Sequence, residues 1–387
     1  MGDSMCVIGL VGPFASGCST VAKKIHEFYD YEVLSLSDEL RSLFKKENPN
    51  TEPNRQKLQD FGDAIRREYG ADYLATLVYD KIEAGKNYVI DSIRNPAEIR
   101  FLRRKISTFF LFGVFADADL RWERAKEKYN SDRRGFDEDD KRDSSENFDY
   151  GQRVTDSFRN ADIVILNNNN IVPGNKYDEE LNNKIKNYIE LIEEKKKFCP
   201  GTNETNMAIA YAASMRSSCL KRKVGAAIAG RDGNIFSTGY NEVPALNDTC
   251  KSLYGTCYRD SLKKDFKQGL ETELLDKQQQ DSVYTMFKKR FKILDYCRAL
   301  HAEENAILNV TRTGSSSELK EATLYTSTYP CNLCANKITQ VGIKRVVYFE
   351  PYPMKEAKAI LSDGNVKQEP FEGVTFNAYF RLMEVIY

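Results

Sequence analysis

The sequence predicts an α/β protein in two domains: a parallel-sheet domain over residues 1–198, then a second α/β layer over residues 199–387. Three observations predict it. Strand-length apolar runs alternate with helical patterns through the first half, which implies parallel strands with helices on both faces. The first of these runs passes straight into a glycine loop and a helix. A new strand–helix series then begins after Cys199-Pro200-Gly201, read as the linker.

In the first domain the strand-like runs are Cys6–Val11, Tyr31–Leu36, Tyr88–Ile90, Phe109–Phe115 and Ile163–Leu166. Helical patterns cover Thr20–Tyr29, a charged stretch from Asp38, and Asp178–Lys197, which closes the domain. In the second domain a helix near Asn206–Ser217 precedes strands at Val224–Ala229 and Ile235–Gly239. The Asp-Gly turn between those strands, at Arg231–Asn234, signals a hairpin. His301–Val310 reads as a helix, Thr323–Thr326 as a strand, Ala335–Val341 as a helix and Arg345–Phe349 as a strand. Residues from about 251 to 292 form a charged helical insertion, with ten Lys or Arg against six Asp or Glu. Its plain reading is a solvated insertion or an oligomer contact; a nucleic-acid surface is the sharper alternative.

Composition narrows the class. Lys+Arg and Asp+Glu both number 57, so no global charge points to nucleic acid or membrane. The longest apolar stretch, Phe109 to Ala116, is far shorter than the roughly 20 residues that span a bilayer. The N-terminal run leads into a glycine loop and lacks a basic leader, so it reads as a buried strand. Nine cysteines scattered over 387 residues fit reduced thiols in a cytoplasm better than a disulfide framework. Only two histidines, His26 and His301, are present, which leaves few ways to build a histidine-containing metal site.

One such way stands out. His301-Ala302-Glu303 precedes Pro330-Cys331-Asn332-Leu333-Cys334. A catalytic zinc takes three protein ligands and keeps one position for water. Cys331 and Cys334, three apart, face one point from the first turn of a helix, and Pro330 suits the start of that helix. His301 is the third ligand. Glu303, two residues on, is free to move protons. The pattern matches the H-x-E with P-C-x-x-C signature of zinc-dependent nucleobase deaminases.

The wider sequence resembles the deoxycytidylate deaminase family over most of residues 203–387. The resemblance rests on Lys223-Val224-Gly225-Ala226, Gly239-Tyr240-Asn241 and His301-Ala302-Glu303-Glu304-Asn305-Ala306-Ile307. It implies a cytidine-deaminase-like α/β/α domain, with Asn241 on the deoxyribose and Ala302 in the substrate site. Glu242 departs from the family's usual glycine. Cys250, Cys257 and Cys297 are candidates for a second, structural zinc that lacks an obvious fourth ligand; buried free thiols are the alternative.

The first half holds a different frame. Gly12-Pro13-Phe14-Ala15-Ser16-Gly17-Cys18-Ser19 follows a strand and opens a helix, as a phosphate-binding loop does. Gly12, Ser16, Gly17, Cys18, Ser19 and Thr20 are the candidate nucleotide contacts, with Ser19 and Asp91 near a magnesium ion. Cys18 stands where the loop's lysine is expected, so binding is expected without phosphoryl transfer. Ser35–Arg41, Asp91–Pro96 and Arg121–Arg124 resemble the gripping, acidic and lid segments of nucleoside monophosphate kinases. That resemblance implies a kinase-like parallel sheet and a nucleoside triphosphate with Mg2+.

Together the halves resemble the bacterial anti-phage deoxycytidine nucleotide deaminases. The resemblance implies conversion of dCTP and dCMP to their uracil forms, a regulatory N-terminal domain, and a small inhibitory RNA as partner. It also implies a cytoplasmic homo-oligomer. The competing readings are a housekeeping dCMP deaminase for thymidylate supply, a polynucleotide deaminase, and a nucleotide-binding regulator.

Overall fold

A computed structural model describes residues 5–144, 151–171, 173–196, 199–245, 247–273, 275–290, 296–314, 316–350 and 355–383. It divides into two compact units: residues 1–204 with 370–387, and residues 205–369.

The N-terminal unit is built on β1 (Val7–Val11), β2 (Tyr31–Ser35), β3 (Asn87–Asp91), β4 (Phe109–Phe115) and β5 (Ile163–Leu166). These five are parallel, in the order β5-β4-β1-β3-β2. Every residue of β1 and β4 is buried, as a strand covered on both faces must be. The helices Cys18–Tyr29 and Lys176–Ile192 lay Val21, Ile25, Leu181, Ile185 and Ile189 against one core with Ile8, Leu10, Phe112 and Ile163. The strand order reverses around β1. A crevice therefore opens beyond its carboxyl end, where the glycine loop lies.

The sixth strand of this sheet comes from the far end of the chain. β11 (Gly373–Val374) pairs antiparallel with β5, Gly373 opposite Val164. Glu372 accepts from the Leu166 N–H at 2.8 Å and pairs with Lys184 at 2.9 Å, while the Thr375 N–H donates to the Asp162 carbonyl at 2.8 Å. The sequence places one boundary at 198/199 and assigns 370–387 to the second domain; the structural divisions fall at 204/205 and 369/370. The reason is the open edge of β5, whose unpaired amides take up a returning segment. A two-residue strand has no periodicity by which to announce itself.

The second unit holds β6 (Gly225–Ala229), β7 (Ile235–Tyr240), β8 (Thr323–Thr328), β9 (Arg345–Glu350) and β10 (Lys367–Pro370), in the order β10-β9-β8-β6-β7. β6 and β7 form the expected hairpin, with Gly233 at φ +84° in its turn. β8 and β9 are parallel and joined through the helix Asn332–Gln340. The insertion is helical over Cys250–Tyr254, Tyr258–Glu271 and Lys277–Arg290, and the first two of these helices bury no residue. Residues 274, 291 and 292 of the expected insertion, and the expected helix end at Lys197, lie outside the described residues. Among the described residues no helix is long and apolar enough to cross a membrane.

Candidate active site

In the second unit two helices direct their N-termini at one point. His301 is the N-cap residue of the helix Ala302–Arg312, and Cys331 is the N-cap residue of the helix Asn332–Gln340. N-cap residues have extended backbones, so their side chains project past the helix end. Cys334 follows one turn later on the same side. Pro330 sits before the N-cap, not in the first helical turn as its sequence position suggested.

The His301 Nδ1 lies 3.3 Å from both the Cys331 and the Cys334 sulfur. Among the described residues, His301, Cys331 and Cys334 are the one set of three or more potential ligands whose atoms lie within 4.8 Å of one another. An imidazole nitrogen and two sulfurs at this spacing suit zinc and leave room for a further ligand. Cys250, Cys257 and Cys297 form no such set. Cys250 opens one short helix and Cys257 caps the next, with Gly255 turning the chain between them. Burial pushes the Cys297 thiol up.

Glu303 completes the group. It is 3% exposed, and its carboxylate accepts from the Cys334 thiol at 3.7 Å. Burial raises its carboxyl above the usual range. The hydrogen bond between the two thiols draws Cys331 down to about 4 and drives Cys334 up; the His301 imidazole is raised by its hydrogen bond with Cys331. Ala302, at the first helical position, is fully buried.

Several residues that position this group had no role assigned from the sequence. Glu304 accepts from the His301 N–H at 3.3 Å and pairs with Lys337 at 2.8 Å, tying the two ligand-bearing helices together. Its signal was legible as the fourth residue of a capping box. Ser237 donates to the Ala306 carbonyl at 2.7 Å, Asn305 to the Tyr240 carbonyl at 2.7 Å and Asn309 to the Thr238 carbonyl at 2.9 Å. These three bonds stitch the His301 helix along β7.

Gly239 is what allows the helix so close. A Cβ there would meet the Ala302 carbonyl at 2.2 Å and the Ala306 nitrogen at 2.4 Å, both backbone. Gly239→Ala is therefore expected to destabilise the unit by about 1–3 kcal/mol, the cost of overpacking a core. Denaturant titration checks the stability, and zinc content after purification checks the displacement of His301.

Asn241 follows β7 directly, with both arms of its amide engaged. It donates to the Arg222 carbonyl at 2.8 Å and accepts from the Val224 N–H at 2.7 Å. Glu242 is equally committed, accepting from the Ser218 N–H and hydroxyl, both at 2.7 Å. In place of a flexible glycine, this carboxylate fastens the segment before β6.

The phosphate-loop residues converge separately, within the N-terminal unit. Gly12, Ser16, Gly17, Cys18, Ser19 and Thr20 all line one cavity of about 1170 Å³. The Ser19 hydroxyl donates to Asp91 at 2.7 Å.

Comparison with known proteins matches residues 200–350 to the cytidine and deoxycytidylate deaminase zinc-binding region. The deoxycytidylate deaminase of Mycobacterium phage D29 is 36% identical over 149 residues, covering 38% of this chain and 94% of that protein. The chain belongs to the deoxycytidylate deaminase family. The deaminase of Enterobacteria phage T2 is 37% identical over 152 residues, 38% of this chain and 79% of that one. The Schizosaccharomyces pombe deaminase is 34% identical over 165 residues, 43% of this chain and only 42% of that protein. The second unit is thus a zinc-binding hydrolytic deaminase domain, and the four residues gathered at its helix ends are its candidate active centre.

Proposed function

We propose that this deaminase removes the amino group of deoxycytidine nucleotides, acting on dCMP and dCTP. The observation that carries the reading is the buried Glu303 carboxylate beside three convergent zinc ligands, in a chain of this family. His301 Nδ1 and the sulfurs of Cys331 and Cys334 hold the metal. Zinc, when bound, supplies the Lewis acidity that lets water attack at neutral pH. Glu303 takes the proton of the attacking water, passes it to the ring nitrogen N3, and then assists the departing amine. The C4–N bond breaks, a C4–O bond replaces it, and ammonia leaves. A carboxyl raised by burial suits both taking and giving a proton. The Ala302 N–H, among the first-turn amides that have no intrahelical acceptor, binds the base carbonyl. Asn241, held rigid by its own hydrogen bonds, faces the deoxyribose.

The N-terminal unit binds a nucleoside triphosphate with Mg2+ and regulates the deaminase. Its support is the loop Gly12–Ser19 at the switch point of a parallel sheet, with Ser19 on Asp91. A deaminase so controlled serves to drain the cytosine nucleotide pool in anti-phage defence, more than to supply thymidylate routinely. The test is uracil formation from dCMP, dCTP, CTP, deoxycytidine and a single-stranded oligonucleotide. Turnover of dCMP and dCTP is expected. Turnover confined to the oligonucleotide overturns the reading; turnover of dCMP alone returns the enzyme to nucleotide supply.

A further inference from the structure

We propose that Arg94 supplies the positive charge that Cys18 removes from the phosphate loop, contacting the terminal phosphate of a nucleoside polyphosphate bound there. The inference rests on the nucleotide-binding reading of the N-terminal unit and names the group that makes it work without a lysine.

The cavity at the loop is built for an anion. Seven Lys or Arg residues line it against four Asp or Glu. Most of those cations are already engaged. Lys24 pairs with Asp178 and donates to Asn182 at 2.7 Å. Arg55 pairs with Asp143, and Arg41 with Asp38 at 2.6 Å. Arg124 is spent on backbone, donating to the loop carbonyls of Ala15 and Ser16 and to those of Asn167 and Asn169 beyond β5.

Arg94 differs in position and in what it leaves open. β3 ends at Asp91, and Ser92 then takes φ +68°, a left-handed conformation that non-glycine residues adopt at a cost. The Ile93 N–H donates to the Leu10 carbonyl at 3.1 Å, which pins the turn against β1. The turn delivers Arg94 to the same cavity that the loop lines. Its Nη1 donates to Gln152 at 3.0 Å and lies 3.5 Å from Asp143. Both partners are buried, so the guanidinium is held from behind. Among the described residues Nε and Nη2 have no hydrogen-bond partner. Asp143 is shared with Arg55 and Gln59 and does not fully offset Arg94.

Cys18 cannot compensate for the missing lysine. Burial pushes its thiol up to about 12, so it stays neutral, and Arg94 is among the charges close enough to act on it. A guanidinium with two open donors matches two oxygens of a terminal phosphate.

The experiment measures equilibrium binding of ATP, GTP and dTTP, with Mg2+, to the full chain, alongside the monophosphate of whichever triphosphate binds most tightly. Arg94→Gln is expected to weaken the triphosphate by about tenfold to a hundredfold, the worth of a charge-assisted hydrogen bond. The monophosphate is expected to lose less than about threefold on the same scale. Arg94→Lys retains most of the affinity, and adding Cys18→Lys to Arg94→Gln restores it. A thermal melt of each variant separates lost binding from lost folding. The proposal is overturned if Arg94→Gln, folded, binds the triphosphate within about twofold of the parent, or weakens both ligands equally. It is also overturned if Lys128→Gln, at another cation lining the same cavity, produces the selective loss instead. A parent chain that binds none of the three triphosphates overturns both this proposal and the nucleotide reading, while turnover of dCMP leaves the deaminase reading standing.

Discussion

Replacing Glu303 by Gln is expected to lower turnover of dCMP by about 10²- to 10⁴-fold, the range for loss of a positioned general acid–base group. The amide is nearly isosteric, so the helix start and the three ligands should stay in place. Zinc content is expected to remain near one per chain, and the melting temperature close to that of the parent. The reason for so large an effect is the site's isolation. Glu303 is 3% exposed, and its recorded partner is the Cys334 thiol, so bulk water cannot easily take over the proton transfers. Activity is read as ammonia or uracil release, and zinc by elemental analysis on the same sample. Near-parental turnover in the Gln variant would sink the mechanism.

Replacing Cys334 by Ser is expected to have a different and broader effect. Cys334 is 1% exposed and packs in the core of the second unit, on the helix that also carries Cys331. Its loss removes a ligand and leaves a hydroxyl where a metal–sulfur bond was intended. The expected outcome is loss of zinc on dialysis, loss of turnover, and a lowered melting transition. The drop in metal affinity should exceed the roughly 10- to 100-fold that mutating a ligand's outer-shell partner costs. Glu304→Gln tests such a partner, since Glu304 holds the His301 N–H and Lys337. Metal binding is coupled to folding, so chelation of the parent should mimic the Ser variant. A Cys334→Ser chain that keeps stoichiometric zinc and full turnover would show that the three-ligand set is wrong.

These two variants separate what the metal does from what the carboxylate does. One should keep metal without turnover; the other should lose both. The separation follows from geometry: the ligand atoms lie within 4.8 Å of one another, while Glu303 touches the group from beside it.

Much of the site was legible before any fold was known. His301, Glu303, Cys331 and Cys334 lie close in two short segments, and their chemistry restricts what they can do together. The strands β1, β4 and β5 and the β6–β7 hairpin were legible for the same local reason, because apolar runs and an Asp-Gly turn are patterns within a few residues. The residues that hold the site were less so. Ser237, Asn305 and Asn309 are ordinary polar residues in sequence. They matter because their partners lie on another element, 69, 65 and 71 residues away. Gly239 likewise gains its meaning from the backbone of Ala302 and Ala306.

The N-terminal loop shows the same division. Cys18 in the lysine position is a fact of sequence, as is the glycine frame around it. That Arg94 faces the same cavity depends on β3 lying beside β1 and on the turn at Ser92.

By itself, then, the sequence named the candidates: His301, Cys331 and Cys334 for zinc, Glu303 for a proton, and the loop Gly12–Ser19 for phosphate. Residue type and short spacing suffice for that. The tertiary structure alone decided that residues 370–387 return to the first sheet. It alone decided, too, that Glu304 bridges two helices. Each of these depends on contacts between segments distant in the chain, set by an open strand edge, a helix packed on glycine, or a shared partner. No local pattern encodes them.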